Sequence, residues 1–248
     1  MTTSGAELAP VCILAGGLGT RLGEQVRDTP KPLLPVADEP FVFHQLRLLR
    51  EYRARRIVLC VGYLGERIEE TVGDGAALGL EVSYSYDGPE LAGTAGAVRQ
   101  ALPQLGNEFL VLYGDTFLQI DYLDVQRVFR ESGLPALMTV LRNDGRWDTS
   151  NVLFADGRVM CYDKRDPTPE MKWIDYGLGM MRRDALEASD AVDLAEVYAE
   201  LARRGQLAGY EASERFYEIG TPDSLRETDE FLRSPASWRR AQNSANPA

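Results

Sequence analysis

Four apolar, β-prone runs, Val11 to Ala15, Ile57 to Val61, Leu80 to Tyr86 and Phe109 to Tyr113, are separated by stretches with helical spacing. This alternation restricts the fold most. Parallel strands need long crossovers, and helices supply them while covering the faces of the sheet. Asp38 is placed to cap a helix carrying Phe41, Phe43, Leu46, Leu48 and Leu49, and Leu64 to Val72 and Thr94 to Leu102 predict two shorter helices. After a helix at Tyr122 to Glu131 the strand signals shorten, at Ala136 to Leu141, Val152 to Phe154, Val159 to Tyr162 and Ile174 to Met181. They fit a mixed or antiparallel extension of the same sheet. Helices at Leu194 to Arg203 and Ser224 to Leu232 bracket a strand at Leu207 to Ala212. The expectation is one α/β domain over residues 1–233, a mostly parallel mixed sheet with helices on both faces, and a polar, frayed tail over 234–248.

The chain has 248 residues, enough for one sizeable core and too few for two generous domains. With 27 basic against 38 acidic residues its net charge is -11, which disfavours nucleic acid and anionic membrane as partners. Basic residues beside glycine-rich loops therefore stand out as local positive pockets in an acidic field. Cys12, Cys60 and Cys161 are three and widely spaced, with no disulfide framework or zinc pattern. No run approaches the ~20 apolar residues of a membrane helix, and residues 1–10 lack the basic and apolar regions of a signal peptide. A cytoplasmic location is the default expectation.

The segment Leu14-Ala15-Gly16-Gly17-Leu18-Gly19-Thr20-Arg21-Leu22 directly follows the first strand, at the carboxyl edge where open α/β sheets bind ligands. Its glycines let backbone amides approach a phosphate. Leu22 occupies the place of the third glycine of a dinucleotide fingerprint, and no Gly-Lys-Ser/Thr follows, so neither common phosphate loop applies. Arg21 offers a planar fork of donors to phosphate oxygens. In Thr29-Pro30-Lys31-Pro32-Leu33-Leu34-Pro35 three prolines stiffen the loop that aims Lys31. A rigid lysine facing Arg21 suits a triphosphate tail.

These two motifs together resemble the sugar-1-phosphate nucleotidyltransferases, over roughly residues 10–232, and in particular their short branch that includes mannose- and heptose-1-phosphate guanylyltransferases. The resemblance implies a Rossmann-like, GT-A-like fold, a nucleoside triphosphate and a sugar-1-phosphate as substrates, and Mg2+ as cofactor. Gly93-Thr94-Ala95-Gly96-Ala97 is similar to the family's base-binding segment, read here as a helix N-terminus facing the ligand. Nearby Asp87 and Glu90 can accept both the ring NH and the amino hydrogens of guanine, which favours GTP over UTP or dTTP. Asp115, at the end of a buried strand, corresponds to the family's magnesium ligand, and Glu218 stands where the family commonly carries its second aspartate. Tyr162-Asp163-Lys164-Arg165 resembles the Glu-Lys-Pro segment, which implies Lys164 on the phosphate of the sugar-1-phosphate, Asp163 on sugar hydroxyls, and Arg165 on phosphate or solvent. Trp173-Ile174-Asp175-Tyr176-Gly177 is similar to the sugar-binding strand, with Asp175 in place of the usual asparagine and Trp173 able to pack on a pyranose or in the core.

The implied chemistry needs no general base, because a sugar phosphate with a second pKa of about 6 is already largely dianionic at neutral pH. His44, the single histidine, reads as a packed residue of an apolar helix, and Arg50, Arg53, Arg55 and Arg56 as a solvated helix end. Two other classes are set beside this reading. A metal-dependent glycosyltransferase normally has an Asp-x-Asp pair, and Gly114-Asp115-Thr116-Phe117 lacks the second aspartate. A silent nucleotide-sugar-binding regulator would tolerate loss of Arg21 or Lys31, and both are present. The sequence is compatible with a homo-oligomer and names neither the sugar nor the oligomeric state.

Overall fold

The structure, a computed structural model, describes residues 7–26, 28–88, 91–147 and 149–234. Its strands are β1 (Val11–Leu14), β2 (Pro35–Val36), β3 (Glu39–Pro40), β4 (Arg56–Val61), β5 (Glu81–Tyr86), β6 (Glu108–Tyr113), β7 (Thr116–Phe117), β8 (Ala136–Arg142), β9 (Val152–Ala155), β10 (Arg158–Tyr162), β11 (Trp173–Arg182), β12 (Leu207–Ala212) and β13 (Tyr217–Glu218). The helices are α1 (Phe41–Glu51), α2 (Gly65–Val72), α3 (Gly93–Leu105), α4 (Tyr122–Ser132), α5 (Arg183–Glu187), α6 (Leu194–Arg203) and α7 (Pro222–Arg233). Among the described residues no helix is long and apolar enough to cross a membrane.

Nine strands form one sheet in the order β5-β4-β1-β6-β11-β8-β12-β10-β9. β5, β4, β1 and β6 are parallel, as the alternation predicts. The second half differs. β11 runs antiparallel to both β6 and β8, β10 antiparallel to β12 and β9, and only β12 and β8 are parallel. β9 also pairs with β11, at Val152 and Trp173, so β11, β8, β12, β10 and β9 close on themselves. The mixed sheet with its antiparallel extension is as expected, but it is not mostly parallel: a parallel half is joined to a largely antiparallel ring. The cause is local: β9, β10 and β11 follow one another without an intervening helix, and short connections reverse direction.

Alternation along the buried strands builds the two layers. In β1, Val11 and Ile13 face a core shared with α1, α2, α4 and α7, while Cys12 faces one shared with α3, α5 and α6; all three are fully buried. Each such apolar side chain contributes about 1.5–3 kcal/mol relative to exposure. Cys12 and Cys60 lie side by side as thiols, Sγ to Sγ 3.3 Å. Asp121 caps α4 through the amides of Leu123 and Asp124, and Thr221 and Ser224 form a reciprocal cap on α7.

Asp38 does not cap α1. Pro40 holds that position, and Asp38 sits at φ 69° with its carboxylate on Arg233 of α7, 2.6 and 2.9 Å away. Asp229 accepts from the amide of Ala37 at 2.7 Å, so α7 is clamped to the β2–β3 turn that follows the Lys31 loop. His44 is buried as expected, with Nε2 2.8 Å from the Val36 carbonyl. Arg50, Arg53, Arg55 and Arg56 are all exposed as expected, but only Arg50 ends α1: Arg53 lies in the turn at φ 62°, Arg55 pairs with Glu81, and Arg56 begins β4. Residues 235–248 of the expected tail lie outside the described residues.

Candidate active site

The carboxyl ends of β4, β1 and β6 form the floor of a cleft lined by Leu14, Ala15, Gly16, Gly17, Cys60 and Gly114. The strands approach closely here. A Cβ on Gly114 would lie 2.6 Å from the Leu14 carbonyl oxygen, so only glycine lets β6 turn against β1 while its amide donates to that oxygen at 2.9 Å. The predicted nucleotide residues Leu14, Ala15, Gly16, Gly17, Asp87, Gly93 and Thr94 all border this cleft, and Lys31 and Asp115 close one end. Gly19 and Thr20 do not line it; they turn the chain into the short helix that carries Arg21. Asp87 stands at the opposite end, 3.4 Å from where a Gly16 Cβ would be, and burial holds its carboxyl above the ordinary range against an opposing hydrogen bond from the Ala92 backbone. Glu90 lies outside the described residues.

Part of the expected helix N-terminus is used inside the fold: the α3 amides of Ala95 and Gly96 donate to the Val192 carbonyl, at 2.9 and 3.3 Å, while Gly93 and Thr94 line the cleft. Gly93 is required for that docking, since at φ 71° its missing Cβ would lie 2.4 Å from the Val192 side chain. The segment is a packing turn that also borders the cleft.

Asp115 and Glu218 come together through a two-stranded sheet. β7 and β13 pair antiparallel with Glu218 opposite Thr116, and the Ile219 amide donates to the Asp115 carbonyl at 3.0 Å. Gln45 of α1 fixes the same loop from below, its Nε2 donating to the carbonyls of Tyr113 and Thr116 at 3.0 and 2.8 Å. Thr228 of α7 donates to the Glu218 carbonyl at 2.6 Å. Burial first, and then the charge of Asp115, push the Glu218 carboxyl above its usual range, while Ser224, Arg21 and Lys31 oppose that shift. Lys31 reaches Asp115 at 2.8 Å, and Arg21 borders the same cleft as Asp115 and Glu218. Two cations and two carboxylates that are distant in sequence thus come together at one junction.

The sugar side departs from expectation in several places. Lys164 is held by Asp175, 3.6 Å away, above the rings of Tyr162 and Tyr113. The Asp175 carboxylate also accepts from the Tyr162 hydroxyl at 2.9 Å and the Gly177 amide at 3.0 Å, so it positions Lys164 rather than standing free for a sugar hydroxyl. Asp163 is likewise spent on the amides of Arg165 and Asp166, which lower its carboxyl. Arg165 pairs with Glu196 of α6 at 2.9 Å. Trp173 points away from the clefts: its Nε1 donates to Glu211 at 2.7 Å, and its ring meets Phe154 edge-on under Arg142. The Tyr176 ring is buried and packs edge-on against Phe216, so its role is in the core wall. Gly177, at φ 99°, lies in the irregular stretch of β11 that opens the cleft beside Thr116.

Sequence reasoning missed four residues here. Tyr113 borders all three adjoining clefts, Asn151 lines the sugar side and accepts from the Asp175 amide at 3.3 Å, Asp193 borders two clefts, and Gln45 braces the Asp115 loop. Only Tyr113 carried a sequence signal, its place immediately before Gly114-Asp115.

Comparison with known proteins agrees with this geometry. The profile of the family described as Nucleotidyl transferase matches residues 11–149. The chain is 36% identical over 218 residues to D-glycero-alpha-D-manno-heptose 1-phosphate guanylyltransferase of Campylobacter jejuni, covering 85% of this chain and 94% of that one. It is 33% identical over 227 residues to N-acetylmuramate alpha-1-phosphate uridylyltransferase of Neisseria meningitidis, covering 87% and 94%. The fold matches that of HddC from Yersinia pseudotuberculosis complexed with GMP-PN, with TM-score 0.75 and 24% identity over 91% of this chain and 100% of that one. With its glycine loop, Pro-Lys-Pro loop and paired Asp115 and Glu218 in the places the geometry requires, the chain belongs to the nucleotidyl transferase family, as a sugar-1-phosphate nucleotidyltransferase.

Proposed function

We propose that the protein transfers the nucleotidyl group of GTP to the phosphate of a sugar 1-phosphate, giving a nucleotide sugar and pyrophosphate. The observation that carries the reaction is the meeting of Lys31 and Arg21 with the Asp115 and Glu218 pair, in a cleft that Lys164 also lines. The observation that favours guanine is Asp87 at the far end of the apolar cleft. A carboxylate accepts two hydrogens, and guanine presents its ring NH and amino group side by side, whereas uracil and thymine present a single NH between carbonyls.

The phosphate oxygen of the sugar phosphate attacks the α-phosphorus in line, and the bond to pyrophosphate breaks. Lys164, oriented by Asp175, holds the attacking dianion and offsets repulsion between the two anions. Arg21 and Lys31 stabilise charge on the α-phosphate and the departing pyrophosphate. Asp115 and Glu218 would hold a divalent cation. Both are hard oxygen donors, they are adjacent across β7 and β13, and burial followed by the charge of Asp115 raises the Glu218 carboxyl, a cost that a bound cation would relieve. Among the described residues no cluster of three or more His, Cys, Asp or Glu side chains forms a closed metal cage, so water and phosphate oxygens would complete the shell, as suits magnesium. When bound, that ion supplies neutralisation of the reacting phosphates.

The test is pyrophosphate release from each of five nucleoside triphosphates paired with a panel of sugar 1-phosphates that includes heptose and N-acetylmuramate forms. Release should require both substrates and be greatest with GTP. Preference for UTP would replace the proposed nucleotide while keeping the reaction. Release from no pair would overturn the proposal.

A further inference from the structure

Asp193 is the residue before α6, where a carboxylate ordinarily accepts from its own helix's free amides. Here it makes no such bond. The hydroxyl of Thr94, from the first turn of α3, accepts from the Leu194 amide at 2.8 Å and takes over the cap, so the Asp193 carboxylate turns away from α6. Its one described side-chain hydrogen bond is a long one, 3.3 Å, from that same hydroxyl. The side chain is exposed and borders both the nucleotide cleft and the cleft beneath Lys164. The docking of Val192 on the amides of Ala95 and Gly96 fixes the loop that presents it.

The strand order β5-β4-β1-β6 gives the nucleotide cleft a direction: Asp87 follows β5 and stands with Leu91 against Gly62 after β4, whereas Asp115 follows β6 and pairs with Lys31. Tyr113, Thr94 and Asp193 line the same cleft, Thr94 and Asp193 as the side wall that the start of α3 forms beside the strand ends. In any nucleotide the ribose lies between base and phosphates, which places it along that wall. A carboxylate there is badly suited to phosphate, since like charges repel, and well suited to a vicinal diol, whose two hydroxyls donate to its two acceptor oxygens. We propose that Asp193, held against Thr94 at the side wall of the cleft, accepts from the 2′ and 3′ hydroxyls of the ribose and makes the enzyme select ribonucleotides over 2′-deoxyribonucleotides. This rests on the reading that the nucleotide occupies this cleft, and it deepens that reading by separating the protein from users of deoxythymidine triphosphate.

The test compares kcat/KM for GTP and 2′-deoxy-GTP at saturating sugar phosphate, in the natural enzyme and in Asp193→Asn and Asp193→Ala. The natural enzyme should prefer the ribonucleotide by about 10-fold or more, and each substitution should bring the ratio towards unity. Both nucleotides are turned over by the same folded fraction, so partial misfolding cancels in the ratio. Equilibrium binding of the two nucleotides gives a second readout if turnover is lost. A natural ratio near one, or a ratio unchanged in both variants, would overturn the proposal. So would a constant ratio with a raised KM for sugar phosphate, which would assign Asp193 to the other substrate. If UTP proves to be the better donor, UTP against 2′-deoxy-UTP gives the same ratio, so failure of the base assignment is distinguishable from failure of the Asp193 assignment.

Discussion

The parallel half and the antiparallel ring of the sheet build their sides of the active site from different materials. At the ends of β1, β4 and β6 the site is mostly backbone and small residues, with Gly16, Gly17 and Gly114 forming the floor. At the ends of β10 and β11 it is mostly paired side chains: Lys164 on Asp175, Tyr162 on Asp175, Arg165 on Glu196. A floor made of backbone tolerates few substitutions because its geometry is steric. A wall made of charge pairs is tunable, since replacing one member redirects its partner. Under the proposed reaction the comparison divides the work: the nucleotide falls to the rigid half and the sugar phosphate to the paired one.

The largest effects should come from the junction. Asp115→Ala should lower turnover by roughly 1,000-fold in the presence of magnesium, and Arg21→Ala by roughly 100-fold, both read by pyrophosphate release. Full activity of Arg21→Ala would detach the glycine loop from the chemistry. On the paired side, Asp175→Asn keeps shape but removes the counter-charge of Lys164, and should raise the KM for sugar phosphate about 10-fold with less change in the KM for nucleotide. An equal rise in both would break the division.

On the rigid side, Gly114→Ala must push β6 away from the Leu14 carbonyl and should cost about 1–3 kcal/mol of stability by denaturant unfolding. Smaller still is the effect expected at Glu218. Its folded pKa is raised, so the fold binds that proton more tightly than the unfolded chain does, and stability falls as pH rises from the unfolded value through the folded one. At neutral pH without divalent cation, Glu218→Gln should therefore unfold about 2 °C higher than the natural protein while losing turnover. A lower Tm would show that Glu218 is adequately compensated without a cation. Trp173→Phe should change sugar KM by less than about 2-fold, because that ring faces Phe154 and Glu211.

The legibility of the sequence follows the same division. The parallel half announces itself because β1, β4 and β6 are buried on both faces and read as unbroken apolar runs, and because glycine and proline mark backbone geometry wherever they occur. The two-residue strands β7 and β13 carry no periodicity, so nothing in the sequence announces that Glu218 and Thr116 are partners, although the family resemblance places Glu218 beside the metal site. The partners of Asp163, Asp175 and Trp173 are invisible in the sequence for a physical reason: each side chain is capable of binding a sugar, and each also has a partner inside the fold, respectively the turn amides, Lys164 and Glu211. Asp38 stands where a cap would and is claimed by Arg233, a residue of the last helix. Such competition between distant residues is set by topology and has no local signature.

The most direct measurement is initial-rate kinetics of Lys164→Ala with both substrates varied. If the ring side holds the sugar phosphate and the glycine floor the nucleotide, the KM for sugar phosphate rises by about 10-fold or more while the KM for nucleotide stays within about 2-fold of the natural enzyme. Equal increases in both constants, or an increase confined to the nucleotide, would contradict the division of the site.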